Sequence, residues 1–235
     1  MASAAVLKAL EELKIGRIIL VYDADGREEE TDMVIASEHV TPTAVRTLRT
    51  EAGGLMCTTA DARIQVSLGL PFMTELFQGM ADEFPTMRGL APNDIPYDVK
   101  SAFGITINHR KTFTGITDND RAMTIKEFAE LSRRALTQEN GWARKEFGKN
   151  FRAPGHVHLL NTSKRILETR FGHTELATAL VIMAGLVPSA TVCEMMGDDG
   201  KALSKKHAKE YAESQGLVFL EGAEILDAWN ESKNR

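Results

Sequence analysis

The 235-residue sequence predicts a single α+β domain, residues 1–235, with one mixed β-sheet surrounded by α-helices. Three observations predict it. Short β-branched runs alternate along the chain with stretches of helical periodicity. No internal repeat, low-complexity tract or Ser/Gly-rich linker divides the chain. With 43% hydrophobic and 26% charged residues, it is long and apolar enough to bury a core.

Each element follows from a local pattern. Ser3 caps a first helix in which Val6, Leu10 and Leu13 recur at helical spacing, with Gly16 near its stop. Arg17 to Tyr22 (RIILVY) is a short β-branched run and reads as a buried strand, and Met33 to Ala36 as a second. Thr41 and Pro42 open a helix, the threonine as N-cap and the proline in the first turn. Leu55 to Thr59 reads as a strand reached through Gly53 and Gly54. Pro85, Pro92 and Pro96 mark Phe84 to Asp98 as a surface excursion. Phe103 to Asn108 alternates weakly and reads as a strand. Thr124 and Glu127 have capping-box spacing, for a helix reaching about Leu136. Arg144 to Asn150 reads as a polar segment and His156 to Leu160 as a strand. Thr174 to Leu186 reads as an apolar helix and Thr191 to Met195 (TVCEM) as a buried strand. Asp199 and Gly200 make a turn, Ser204 to Gln215 a helix ended by Gly216, and Leu217 to Leu220 the last strand.

Composition excludes several functions. The net charge of −5 offers no basic face for a nucleic-acid backbone. The longest nearly apolar run, Leu176 to Val187, falls short of the roughly 18 residues a membrane helix needs. MASAAVLKALEELK lacks the basic region and apolar core of a signal peptide. Two cysteines, Cys57 and Cys193, make no disulfide framework and suit a reducing compartment. The expectation is a cytoplasmic globular protein with no membrane or nucleic-acid partner.

The chemistry concentrates in a few places. Asp23 to Asp32 (DADGREEETD) holds six carboxylates, Asp23, Asp25, Glu28, Glu29, Glu30 and Asp32, around Arg27, directly after a predicted strand. So many carboxylates repel one another unless a cation or shared protons relieve them. Their oxygens suit a hard ion such as Mg²⁺ or Mn²⁺. The alternative is a solvated acidic loop. Arg170 to Glu175 (RFGHTE) opens an apolar helix, where backbone N–H groups and Arg170 can hold a phosphate and His173 can ligate a metal. A helix cap with a bystander histidine is the alternative there. Lys111 to Arg121 (KTFTGITDNDR) can hold sugar hydroxyls or phosphate, or be a simple turn. His156 is an acid/base candidate or a surface histidine. Glu194 is the only charge in TVCEM, which is costly unless paired or functional. Cys57 reads as a small buried hydrophobe or a reactive thiol.

Six segments in order, DADGREEETDM, AGGLMCT, TFTGITDNDRA, RAPGH, RFGHTE and CEMMGDDG, together resemble the 3,4-dihydroxy-2-butanone 4-phosphate synthase family of riboflavin biosynthesis. The resemblance spans nearly the whole chain. It implies a homodimeric lyase that takes D-ribulose 5-phosphate, excises C4 as formate and joins the remaining carbons. It also implies a divalent metal, usually Mg²⁺, with Mn²⁺ as the other candidate, and no organic cofactor. By motif, Glu28 and His173 resemble the metal ligands. Arg27 and Asp32 resemble substrate contacts, and Arg170, Gly172, His173 and Thr174 the phosphate-binding turn. Glu194 and His156 fall at positions used for catalysis. Asp23, Glu30, Cys57, Thr114 and Asp118 resemble lining groups, with Asp32, Glu30 and Cys57 as further candidates for proton transfer.

The chain departs from the family in three places. Glu29 stands where Asn or Gly is common, and is expected to face solvent. Leu136 to Phe151 is longer than expected, and Leu160 to Arg165 replaces a Gly-rich connection. Ending at Arg235, the chain is expected to lack the cyclohydrolase domain that some members carry. Two other readings use the same residues: a metal-dependent sugar-phosphate phosphatase, and a non-catalytic sugar-phosphate-binding module.

Overall fold

The structure, a computed structural model, describes residues 2–92, 94–138 and 141–233. Asn93 in the expected excursion, Glu139 and Asn140 in the lengthened stretch, and Arg235 at the expected end lie outside the described residues.

Seven strands form one mixed sheet. They are β1 (Ile19–Tyr22), β2 (Thr31–Ala36), β3 (Cys57–Ala60), β4 (Phe103–His109), β5 (Phe151–Asn161), β6 (Ala190–Glu194) and β7 (Phe219–Glu221), in the order β4-β5-β3-β6-β2-β1-β7. The β1/β7 and β3/β5 pairs are parallel and the others antiparallel. Side chains alternate across the sheet and divide the core into two layers. Met33, Ile35, Leu159 and Cys193 pack on one face against α2 (Pro42–Thr47), α3 (Ala62–Leu68) and α6 (Asp118–Ala135), through Val45, Ile64 and Phe128. On the other, Val34, Cys57 and Val192 meet α1 (Ala4–Lys14), α8 (His173–Met183) and α10 (Gly222–Lys233), through Leu13, Leu180 and Ile225. The expected α+β class with one mixed sheet is what the chain adopts.

Several boundaries move, each for a local reason. The helix expected from Thr124 begins at Asp118, because Thr117 accepts the Asp120 N–H (3.2 Å) and two aspartates occupy the first turn, where the helix dipole favours them. Thr124 sits inside that helix. Its hydroxyl donates to the Asp120 carbonyl (2.9 Å) and accepts the His109 N–H (3.0 Å), tying α6 to β4. The apolar helix begins at His173 with Gly172 as N-cap, one residue before Thr174, and ends at Met183. The polar segment Arg144 to Asn150 is helical, part of α7 (Trp142–Asn150). It buries Ala143 and leans Trp142 and Phe147 on the core while its other residues face water. The expected strand Leu55 to Thr59 starts at Cys57 instead. The chain does not stop at Leu220: α10 follows β7 directly, its start closed by Glu224 accepting the Glu221 N–H (3.1 Å). α4 (Met73–Gly79) precedes the excursion, α5 (Thr86–Gly89) lies within it, and α9 (Lys205–Gln215) falls where expected.

The register gathers the candidate residues at one end of the central strands. Tyr22 and Thr31 pair at the mouth of the β1–β2 connection, so residues 23–30 project from it. Asp32 lies opposite Glu194, and Val192 opposite Cys57.

The helix start has a measurable consequence. Thr117→Ala should lower stability by about 1 kcal/mol through loss of the cap, and Thr124→Val by about 1–3 kcal/mol because the His109 N–H loses its acceptor in the interior. Urea unfolding measures both. A helix starting at Thr124 would leave Thr117→Ala neutral.

Candidate active site

The acidic connection is pinned by one of its own members. The Asp23 carboxylate, 2% exposed, accepts the backbone N–H of Glu28 (3.0 Å) and of Glu30 (3.2 Å) and pairs with Arg27 Nη1 (3.1 Å). Glu29 is exposed, as expected, and its φ of 58° lies in the left-handed region. Asn and Gly adopt that backbone most easily, so Glu29 holds it at some cost in strain.

Asp23, Glu28 and His173 each offer a ligand atom, all within 4.8 Å of one another. His173 is buried at the first position of α8, and its Nδ1 lies 3.2 Å from Glu28 Oε2. Its Nε2 lies 3.2 Å from the Val21 carbonyl oxygen. A carbonyl only accepts, so Nε2 donates to it, while Nδ1, facing the Glu28 and Asp23 carboxylates, donates to Glu28 when the ring is protonated and is the nitrogen free to ligate a cation once it is not. Asp32 Oδ1 is 3.6 Å from Nε2, buried and without a hydrogen-bond partner.

Without a cation this cluster retains protons. Burial pushes Asp32 up to about 8, and Glu194, Glu28 and Glu30 add to the effect. Burial also lifts Glu30, helped by Glu28 and Glu194. Burial opposes the charge on His173, but Asp32, Glu28 and Asp23 outweigh it and carry the ring to about 9. Glu28 moves the other way: burial works against its charge, and His173 and Arg27 hold it below the usual carboxylate range. Burial, with Glu194 and Asp32 nearby, raises Cys57, so it stays a thiol.

Glu194 ends β6 and accepts the Leu55 N–H (2.7 Å). A Cβ on Gly54 would lie 2.5 Å from the Glu194 carboxylate, so the glycine is what allows this close approach. Beside the carboxylates stands a pair of arginines. Arg170 donates to the carboxylates of Glu175 and Asp98, and Arg27 Nη2 reaches Asp98 Oδ2 at 3.2 Å. Burial opposes the charge on Arg170, but Glu175 and Asp98 hold it. Glu175 is fully buried and also accepts the Ser163 N–H (2.9 Å).

These groups enclose a cleft of about 180 Å³. Glu28, Glu30, Cys57, Arg170, His173, Thr174 and Glu194 line it, all sequence candidates, with Asp23 and Asp32 buried beneath and Gly172 at the helix cap. Tyr97, Asp98, Lys100 and Phe103 line the opposite wall and were not foreseen. Tyr97 and Asp98 end the Pro-marked excursion, Lys100 follows it and Phe103 opens β4, and no local pattern there points to a ligand.

His156, Thr114 and Asp118 do not join this cluster within one chain. His156 is exposed on β5, its Nδ1 3.1 Å from Asn108 Nδ2, which also donates to the Thr114 carbonyl (3.4 Å). Asp118 is paired with Arg49 (2.8 and 3.0 Å).

Fold and site define a mixed-sheet protein that gathers carboxylates and an imidazole around a cation position, with a paired-arginine anion position next to it. Residues 7–228 match the model of the 3,4-dihydroxy-2-butanone 4-phosphate synthase family. A 3,4-dihydroxy-2-butanone 4-phosphate synthase of Methanothermobacter thermautotrophicus is 45% identical over 230 residues, 97% of each chain. The solved synthase of Candida albicans superposes with a TM-score of 0.71 at 26% identity, over 95% of this chain and 96% of that one. Another solved synthase, in complex with two magnesium ions, shares the fold with a TM-score of 0.76 at 22% identity, over 98% and 99% of the two chains. This chain belongs to the 3,4-dihydroxy-2-butanone 4-phosphate synthase family, and is an enzyme of riboflavin biosynthesis. Among the described residues no helix is long and apolar enough to cross a membrane.

The arginine pair depends on Glu175 in the interior. Glu175→Ala should destabilise the protein by about 3 kcal/mol by leaving Arg170 half-paired and half-buried, read as a lowered urea midpoint. An unchanged midpoint would show that Asp98 alone satisfies Arg170.

Proposed function

We propose that the cleft converts D-ribulose 5-phosphate to L-3,4-dihydroxy-2-butanone 4-phosphate and formate, with Glu28 and His173 holding a divalent metal. The observation that carries this is the meeting of Glu28, His173 and Asp23, two stretches about 145 residues apart, beside Arg27 and Arg170. The donor set fits the ion. Two carboxylates suit a hard divalent ion such as Mg²⁺ or Mn²⁺, the imidazole nitrogen is a donor that Mn²⁺ accepts the more readily, and few protein ligands leave room for sugar oxygens. A bound ion supplies Lewis-acid polarisation of adjacent substrate oxygens.

The chain's own groups do the rest. Arg27, Arg170 and the N–H groups at the start of α8, with Gly172 and Thr174, clamp the phosphate. Glu30 and Asp32, whose burial favours the protonated form, are the groups placed to exchange protons with the sugar, giving one when protonated and accepting one when ionised. Glu194, anchored by the Leu55 N–H, relays protons from the far side of the cleft. Cys57, held as a thiol, contributes a neutral donor.

His156 and Thr114 serve a neighbouring subunit in this reading. They are exposed, outside their own chain's cleft, and flanked by Phe113 (94% exposed) and Ile116 (51%), side chains that a second copy would cover. The functional unit is accordingly a homodimer with a shared site. Two buried, unpaired cysteines support a reducing, cytoplasmic setting.

The protein with Mg²⁺ and ribulose 5-phosphate should release formate, and EDTA should stop it. Release of inorganic phosphate instead would establish a phosphatase, and binding without turnover a binding module. Glu28→Gln and His173→Ala should each abolish turnover while unfolding stays cooperative; near wild-type rates would remove that residue from the metal site. The shared site has its own test. Mixing inactive His156→Ala and Glu28→Gln proteins should restore up to about a quarter of wild-type activity, because half the dimers at random exchange carry one intact site of two. No recovery after verified exchange would place His156 in its own chain's chemistry or outside it.

A further inference from the structure

We infer that Asp98 is an internal anion that occupies the phosphate position between Arg27 and Arg170, so that the site opens to a phosphate dianion and stays shut to an uncharged sugar. The inference rests on the reading above that these two arginines hold the substrate's phosphate.

The geometry separates fixed partners from a replaceable one. Arg27 gives Nη1 to Asp23 Oδ2 (3.1 Å) and Glu28 Oε2 (3.0 Å), and Arg170 gives Nη1 to the buried Glu175. Those carboxylates belong to the pinned connection and to α8, and they stay when substrate enters. The remaining faces, Arg27 Nη2 and Arg170 Nε, converge on one oxygen, Asp98 Oδ2. Gly172 makes this possible, since a Cβ there would lie 2.5 Å from Arg27 Nη2 and 2.9 Å from Arg170 Nη1. Two guanidinium groups converging on one small anion form the fork that recognises phosphate, and here a carboxylate fills it.

The mount of Asp98 is lightly built. Residues 94–100 contain no helix or strand, and Val99 is 93% exposed. Besides Asp98, the contact from this segment to the arginines is the Tyr97 ring, 5.4 Å from the Arg27 guanidinium carbon. Open space lies on both sides: the cleft of about 180 Å³ inward and a second cavity of about 480 Å³ outward, each bounded by Tyr97 and Asp98. The segment is a thin partition, held at Asp98 by charge and at Lys100 by the ammonium 3.5 Å from the centre of the Phe72 ring. A phosphate dianion brings more charge and more acceptor oxygens than one carboxylate, so it displaces Asp98, whereas a hydroxyl does not.

Inorganic phosphate is the probe, with the full chain, metal-free, so that binding is read apart from turnover. By calorimetry, Asp98→Asn should bind phosphate about tenfold more tightly than wild type. Equal or weaker binding overturns the role of Asp98. Phosphate binding by neither protein overturns the assignment of the two arginines, and the inference with it. A second readout needs no variant. In wild type, saturating phosphate should speed hydrogen–deuterium exchange across residues 97–100. Slowed or unchanged exchange overturns the inference, because it would make the segment a strap that closes on the anion or a passive wall.

Discussion

The site depends on holding like charges together. Glu28, Glu30, Asp32 and Glu194 crowd one end of the central strands over the buried Asp23, and such a group stays ionised only against matching positive charge or shared protons. The chain supplies Arg27, Arg170 and His173 from within. Its imidazole hydrogen-bonds the Val21 carbonyl and approaches Glu28, Asp23 and Asp32. Protons and the internal cations balance this cluster, so any cation the site takes up does so in exchange for protons.

The scaffold divides the labour between rigid and yielding parts. Carboxylates that must keep position are fixed by backbone N–H groups: Asp23 by Glu28 and Glu30, Glu194 by Leu55, Glu175 by Ser163. The wall opposite is irregular chain with exposed side chains. A sugar phosphate that must enter, rearrange its skeleton and leave as two products needs a wall of that kind facing a floor that does not move.

Much of this was legible in the sequence because the chemistry-bearing residues cluster locally. The acidic run after RIILVY and the RFGHTE helix start each announce a strand end or a helix cap, and both cluster at the cleft. What sequence reasoning missed was set by tertiary packing. The Thr124 box has the right spacing, but Thr117 and two first-turn aspartates claim the helix start, and Thr124 instead satisfies an N–H of β4. WARKEFGKN shows too few apolar residues to reveal a helix that buries one side. Asp98 gave no signal, because a lone aspartate after prolines gains its meaning only from arginines 71 and 72 residues distant along the chain. His156 was read as a partner of Glu194, yet the fold of one chain sets it outside the cleft.

The β1/β7 pairing bears on how the protein is made. Leu20 pairs with Phe219, so a strand near the beginning of synthesis waits for a partner translated about 200 residues later. Until then one flank of β1 is an unpaired edge beside the acidic connection, able to recruit a strand from another nascent chain. Contacts this far apart in sequence are slow to form. The carboxylate cluster that includes Glu194 can assemble only after β6 has emerged, and the sheet closes later still. High-level expression therefore loads the cell with incompletely sealed sheets, and slower translation or a holding chaperone favours soluble yield.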